Sequence, residues 1–238
     1  MPVLGIIGSG NVGVAVARLA IAAGWHVVIA NSRGPESLCN LVAELGPLAH
    51  AGTVEQAAMA GDTVVLSVPL PAVKEIPVER LRGMLVLDTS NYYPSRDGRI
   101  AELDDETMTT GELVHGWLGE ARHVKAFSNI LAHHIPTLAR PAGAPDRSAL
   151  PVASEDLEAK REAADILDRL GFDTVDAGTL RDSWRFEPQA ACFARVYLAD
   201  PYTPDDQLIA SEPRPTSAEQ VSASLATATR VRVAERRF

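Results

Sequence analysis

The 238-residue chain predicts an α/β fold, a doubly wound and mostly parallel sheet with a small helical C-terminal region. Three observations carry this. Short continuous apolar runs alternate with helix-like segments through the first half of the chain, as strands covered on both faces require. The first apolar run, Val3–Ile7, leads directly into a glycine-rich turn and then an alanine-rich segment. A later helical pattern is followed by a proline-rich stretch and a basic end.

Taken in order, Val3 to Ile7 reads as a central strand. Val12 to Ala23 is apolar nearly all round and predicts a helix packed on the sheet, stopped by Gly24. His26 to Ala30 is the second strand, and Pro35 to Leu45 a second helix with Pro35 suited to its first turn. Thr63 to Val68, Met84 to Leu87 and His123 to Phe127 are further strands. Ala139 to Pro151 reads as a loop. Glu155 to Leu170 predicts a helix with Ser154 as N-cap, and Leu157, Ala164, Leu167 and Leu170 on one face. Phe172 to Val175 is expected to add a strand to the sheet, and Trp184 to Leu198 to be helical. Asp200 to Pro215 reads as an extended, acidic, proline-rich linker, and Ala218 to Phe238 as a helix with a basic tip of Arg230, Arg232, Arg236 and Arg237. The expected organisation is a nucleotide domain over 1–150, a sheet extension with a helical cap over 151–198, and a linker with a terminal helix over 199–238.

Composition bounds the function. Hydrophobic residues make up 46% and charged residues 22%, with a net charge of -9, which argues against general nucleic-acid or anionic-membrane binding. The two cysteines, Cys39 and Cys192, lack metal-type spacing and fit a reducing compartment. No signal peptide is visible, and the apolar run from Pro2 to Gly8 is too short to span a membrane. A cytoplasmic protein is expected.

Gly8-Ser9-Gly10-Asn11-Val12-Gly13 matches G-x-G-x-x-G between a buried strand and a helix. In that setting Gly8 permits the tight turn, Gly10 lets a pyrophosphate approach the backbone, and Gly13 lets helix and strand pack closely. The N–H groups of Asn11 and Val12 would donate to the phosphates with help from the helix dipole. The motif predicts a Rossmann-type nucleotide site, against the alternative of a glycine-rich turn that binds nothing. Many such sites place a carboxylate at the end of the second strand, where it holds the ribose of NAD and repels a 2′-phosphate. Here that place holds Asn31-Ser32-Arg33. The arginine supplies a bidentate, permanently charged partner and the serine a hydroxyl, so the expected cofactor is NADP(H).

The ordered set GSGNVG, NSRG, VVLSVPL, VLDTSNYYPSRDG, HVKAFSNI and TVDAG resembles the NADPH-dependent reductases of the deazaflavin coenzyme F420. It is also similar to the NADPH domain of membrane metalloreductases. The resemblance runs from Val3 to Phe193; the tail after Ala199 matches neither pattern. It implies that Ser9 to Val12 hold the pyrophosphate, Ser32 and Arg33 the 2′-phosphate, and Val68-Pro69 the nicotinamide ribose. It implies further that Asp88-Thr89-Ser90-Asn91 faces the nicotinamide, with Ser128, Asn129 and Ile130 where the second ring stacks. Some members carry a histidine where this chain has Ser128. Catalysis would then rest on positioning by Asn91, Ser128, Asn129 and Ile130, with no acid–base residue required for hydride transfer between stacked rings. The acceptor is expected to be a small planar molecule such as F420. The alternatives are a flavin, a small carbonyl or an imine, or a non-catalytic module that senses NADP(H). A homodimer is expected, because a small C-terminal region often needs a second subunit to wall the cleft.

Other polar residues have two readings each. Tyr92, Tyr93 and Arg96 either stack on a ring and meet an anion, or form a polar turn. His133-His134 point different ways on any regular element and lack a completing ligand, which disfavours a metal site. Lys125, near a strand end, reads as a snorkelling lysine in preference to a buried functional amine. Arg185 either enters the cleft or makes a surface ion pair. The basic tip reads as a solvated helix end.

Overall fold

The computed structural model describes residues 1–236. Strands β1 (Val3–Ile7), β2 (His26–Ala30), β3 (Ala49–Ala51), β4 (Thr63–Leu66), β5 (Leu85–Asp88) and β6 (Arg122–Lys125) form one sheet in the order β3-β2-β1-β4-β5-β6. All its neighbours are parallel. Strands β7 (Ala149–Val152) and β8 (Asp173–Asp176) form a separate parallel pair. The helices are α1 (Asn11–Ala22), α2 (Cys39–Leu45), α3 (Val54–Ala58), α4 (Pro94–Asp97), α5 (Ala101–Asp104), α6 (Thr110–Leu118), α7 (His134–Leu138), α8 (Leu157–Arg169) and α9 (Ala218–Ala226).

The sheet is covered on both faces, which is why its strands read as unbroken apolar runs. Leu4, Ile6, Val65, Leu87 and Val124 pack with Val16 and Leu19 of α1 and Ala163 and Leu167 of α8. Ile7, Val64, Leu66 and Val86 pack on the opposite side with Leu113, Val114 and Leu118 of α6. Thr109 starts α6 with a capping box, accepting from the Glu112 N–H at 3.0 Å while Glu112 accepts from the Thr109 N–H at 2.8 Å. The first cluster also takes in Leu150, Phe172, Tyr197, Val221 and Leu225, so the C-terminal region shares a core with the sheet.

Several expected elements differ. The segment from Pro35 to Leu45 is a 3₁₀ turn over Pro35–Leu38, in which the Ser37 N–H and hydroxyl both donate to the Gly34 carbonyl, followed by α2. Helix α8 starts at Leu157 and is capped by Asp156, which accepts from the N–H groups of Glu158 and Ala159. Ser154 instead donates to the His123 carbonyl at 2.5 Å. Leu157 is 63% exposed, and the buried face is Ala159, Lys160, Ala163 and Leu167. The strand near Phe172 does not join the main sheet; it pairs with β7, which lies partly in the segment read as a loop. A single antiparallel bridge, Lys125 to Ala153, ties this pair to β6. Trp184 to Leu198 is not one helix: Pro188 and the positive φ angles of Gln189 (69°) and Ala194 (48°) leave only 3₁₀ turns at Leu180–Phe186 and Arg195–Tyr197. Between Asp200 and Pro215 a 3₁₀ turn forms over Asp205–Ala210. The last helix ends at Ala226 and the chain then turns back onto the molecule. Arg237 and Phe238, part of the expected basic tip, lie outside the described residues.

Candidate functional site

The strand order reverses direction between β1 and β4, and open parallel sheets bind ligands beyond the carboxyl ends of the strands at such a point. Register aligns Ala30, Ile7, Leu66, Asp88 and Lys125 as the last row across β2, β1, β4, β5 and β6. The residues just past that row therefore share one edge: Gly8, Asn31, Val68 and Pro69, Asn91, and Ser128.

The three glycines of the turn divide the work. Gly8 has φ +116°, and a Cβ there would lie 1.9 Å from the Ser67 carbonyl oxygen. A Cβ on Gly13 would lie 2.1 Å from the Gly8 oxygen. Both positions are closed to any side chain by backbone. A Cβ on Gly10 meets nothing within 4 Å, so this glycine borders open space. Gly10 is also the N-cap of α1, and no side chain caps the helix. The helix start thus presents N–H groups that helices normally satisfy with a cap or a ligand. The cradle fits a pyrophosphate.

At the end of β2, Asn31 organises the loop. Its Oδ1 accepts from the Arg33 N–H at 2.9 Å, and its Nδ2 donates to Ser37 Oγ at 2.9 Å and reaches Ser9 Oγ of the glycine turn at 3.3 Å. Ser32 and Arg33 are exposed. Arg33 has no ion pair among the described residues. The loop backbone is therefore fixed by Asn31, and the Arg33 side chain is exposed beside the glycine turn's edge. No carboxylate occupies the ribose position.

On the other half of the edge, Val68 is half-buried and Pro69 exposed, on the loop after β4. Asn91 Nδ2 donates to the Ser128 carbonyl at 2.6 Å, and Lys125 Nζ donates to the Ser90 carbonyl at 2.6 Å. The loops after β5 and β6 are thus stapled in both directions. Ser90 Oγ, Asn91 Oδ1 and Ser128 Oγ are buried without a hydrogen-bond partner among the described residues. Such atoms occur elsewhere among the described residues too, Trp25 Nε1 and His134 Nδ1 among them; at this edge a bound ligand or water would complete their bonding. Phe127, just before Ser128, has φ 56°, a conformation uncommon for a bulky side chain and often found beside functional sites. Ile130 is buried in the core, and Asn129 turns inward, donating to the Cys192 carbonyl at 2.9 Å and to the Tyr197 hydroxyl at 3.0 Å.

Beneath this edge lies a buried charged cluster that the sequence reading missed. Asp88, His123 and Lys125 are fully enclosed, with Asp88 Oδ2 at 3.3 Å from His123 Nε2 and 3.6 Å from Lys125 Nζ. Lys125 does not snorkel to solvent. Burial alone would raise the Asp88 carboxyl, but Lys125 and His123 hold it down to about 2. Burial pushes the His123 imidazole below its ordinary value against the pull of Asp88. The His115 ring stacks on His123 at 5.7 Å. A second buried pair, Glu187 Oε2 and Arg236 Nη1 at 3.1 Å, joins the 180s segment to the C-terminal tail. Asp88 and Lys125 stand at matching register positions of β5 and β6, a pairing that only the sheet register reveals.

Other candidates resolve simply. Tyr92 is core, its hydroxyl donating to Asp104 at 2.8 Å and accepting from the Ile100 N–H at 3.0 Å, so it does not stack on a ligand ring. Tyr93 lies under the Arg96 guanidinium. His133 and His134 both contact the Ser211 carbonyl, and no group of metal-ligand side chains occurs among the described residues. Arg185 pairs with Asp182 at 2.8 Å on the partly exposed side of its turn. No helix among the described residues is long and apolar enough to cross a membrane. A cavity of about 450 Å³ opens at the amino edge of the sheet, between Met1, Trp25, Asp62 and Arg169, far from the glycine turn.

Fold and edge together define a Rossmann-type dinucleotide-binding protein. Residues 3–92 match the family described as NADP oxidoreductase, coenzyme F420-dependent. That span holds the glycine turn, Asn31 to Arg33 and Asn91, and over those residues the match agrees with the resemblance read from the motifs. No curated protein matches the chain. Among solved structures, a hypothetical protein from Sinorhizobium meliloti is 29% identical, with a TM-score of 0.71 over 82% of this chain and 94% of that one. A candidate F420-dependent NADP reductase from Arthrobacter sp. FB24 is 24% identical, with a TM-score of 0.63 over 76% of this chain and 86% of that one. An imine reductase from Myxococcus stipitatus, solved with NADP+, is 19% identical, with a TM-score of 0.53 over 76% of this chain and 56% of that one. The last two likenesses show the fold.

Proposed function

We propose that the chain transfers a hydride between NADP(H) and a planar acceptor of the deazaflavin type, such as coenzyme F420. The observation that carries this reading is the two-part edge. One half offers an uncapped helix start beside the open Gly10 and an acid-free Arg33 loop. The other half offers buried Ser90, Asn91 and Ser128 atoms that lack partners among the described residues. NADPH, when bound, supplies a hydride from its nicotinamide ring.

The residues of this chain supply placement. Ser9, Asn11 and Val12 hold the pyrophosphate, Ser32 and Arg33 the 2′-phosphate, and Val68 and Pro69 line the ribose beside the ring. Asn91, pinned by the Ser128 carbonyl, presents its free Oδ1 toward the reacting rings. The buried walls exclude water, and hydride transfer between stacked rings needs alignment more than proton transfer by a side chain.

The test mixes protein, NADPH and oxidised F420 and follows loss of the nicotinamide absorbance, then repeats the assay with flavins, carbonyls and imines. Rapid oxidation by F420 supports the proposal. Oxidation only by another acceptor corrects the substrate. Stoichiometric NADPH binding with no oxidation by any of them contradicts it and favours a sensing module.

A further inference from the structure

The C-terminal tail folds back against the segment that follows Asn91. Val233 is buried in the core beside Tyr92, Leu103 and Leu113. Arg99 Nη1 donates to the Ala234 carbonyl at 2.8 Å, and Arg230 Nη2 to the Glu106 carbonyl at 2.9 Å. These contacts lay the tail along α4 and α5, the two short helices that follow Asn91. Arg236 then enters the interior. Its guanidinium pairs with Glu187, and both side chains are at most 3% exposed. Glu187 also accepts from the Thr110 N–H at 2.9 Å, at the first turn of α6. One turn of α6 lies between this pair and the cluster under the edge: a Cβ on Gly111 would sit 3.0 Å from Ser183 Oγ and 3.4 Å from Lys125 Cδ. On the outer side, burial pushes the Tyr93 hydroxyl up to about 12 against the nearby charges of Arg96 and Arg236. Arg96 itself donates to the Asn91 carbonyl at 2.8 Å.

A buried ion pair is weak evidence for stability, since apolar residues of similar volume often serve as well. Retaining one between the chain end and a distant turn points to a role in fixing position.

We propose that residues 230–236 form the outer wall of the acceptor half of the site, with Arg236 as the positioning residue that locks this wall against Glu187. The inference rests on the hydride-transfer reading for its substrate, but not for its first readout. That readout is acrylamide quenching of the fluorescence of bound NADPH, measured on full-length protein. The variant E187Q/V233S/R236M removes both buried charges and the apolar anchor. It should bind NADPH within about twofold of wild type while its quenching constant at least roughly doubles, because water and quencher now reach the ring. KM for F420 should rise about tenfold or more, a loss of about 1.4 kcal/mol in acceptor binding. R236K, which keeps the charge, should recover most of the effect. If the triple variant does not fold, E187Q/R236M is measured instead, with the same direction expected. A folded variant with wild-type quenching overturns the proposal. Should wild-type protein fail to reduce F420, the acceptor reading falls, and the quenching still decides the role of the tail.

Discussion

Replacing Arg33 by alanine separates the two pyridine nucleotides. The Arg33 backbone N–H is held by Asn31 Oδ1 at 2.9 Å, independently of the side chain, so the loop keeps its course. The guanidinium is exposed, and its loss leaves no buried group unpaired. What disappears is a charge-assisted contact to the 2′-phosphate, about 1.5–3 kcal/mol. Solvent exposure and salt place the effect toward the lower end. The dissociation constant for NADPH should therefore rise about tenfold or somewhat more, while that for NADH, which lacks the phosphate, stays within about twofold. Calorimetric or fluorescence titrations at one fixed ionic strength measure both, with a melting curve to show that the fold is unchanged. Equal losses for the two nucleotides would refute the assignment, as would no loss for either.

Three other outcomes are expected. Asn31→Asp keeps an acceptor for the Arg33 N–H but sets a carboxylate beside the 2′-phosphate, so NADPH should weaken relative to NADH in the same titrations. Gly10→Ala should melt close to wild type, since its Cβ meets nothing within 4 Å, yet bind NADPH at least about tenfold more weakly by filling the phosphate approach; Gly13→Ala, with a Cβ 2.1 Å from the Gly8 oxygen, should lose melting temperature first. The Asp88 carboxyl is lowered from 3.8 to about 2, so its stabilisation is present above pH 3.8 and is lost as pH falls toward 2. That amounts to roughly 2 kcal/mol by linkage; acid melts in which Asp88→Asn shows the same loss over that window as wild type would refute it.

The legible part of the fold was the part whose physics is local. Val3–Ile7 and Thr63–Leu66 are buried on both faces and show it as unbroken apolar runs, and the turn after β1 needs its glycines where they stand. Strand β7, Ala-Leu-Pro-Val, is four residues long with a proline inside, so its composition resembles the loop that precedes it. Trp184 to Leu198 carries apolar residues at helical spacing, but Pro188 and the backbone at Gln189 and Ala194 end any helix there. In the site, Gly8 to Gly13 and Asn31 to Arg33 were readable because neighbouring residues form each unit. The buried cluster was not. A lysine near a strand end ordinarily reaches water, but Gly111 of α6 packs against Lys125 and the turn at Leu180–Phe186 also lies on β6. The Arg236–Glu187 pair joins residues 49 apart, a contact that only the returning tail creates.

The most direct measurement is a crystal structure of the protein with NADP+. The account predicts pyrophosphate oxygens within hydrogen-bond distance of the Asn11 and Val12 N–H groups, the 2′-phosphate against Ser32 and Arg33, and the nicotinamide between Val68 and Asn91. A nucleotide seated elsewhere, or one in the crevice with Arg33 turned to solvent and its 2′-phosphate untouched, would contradict it.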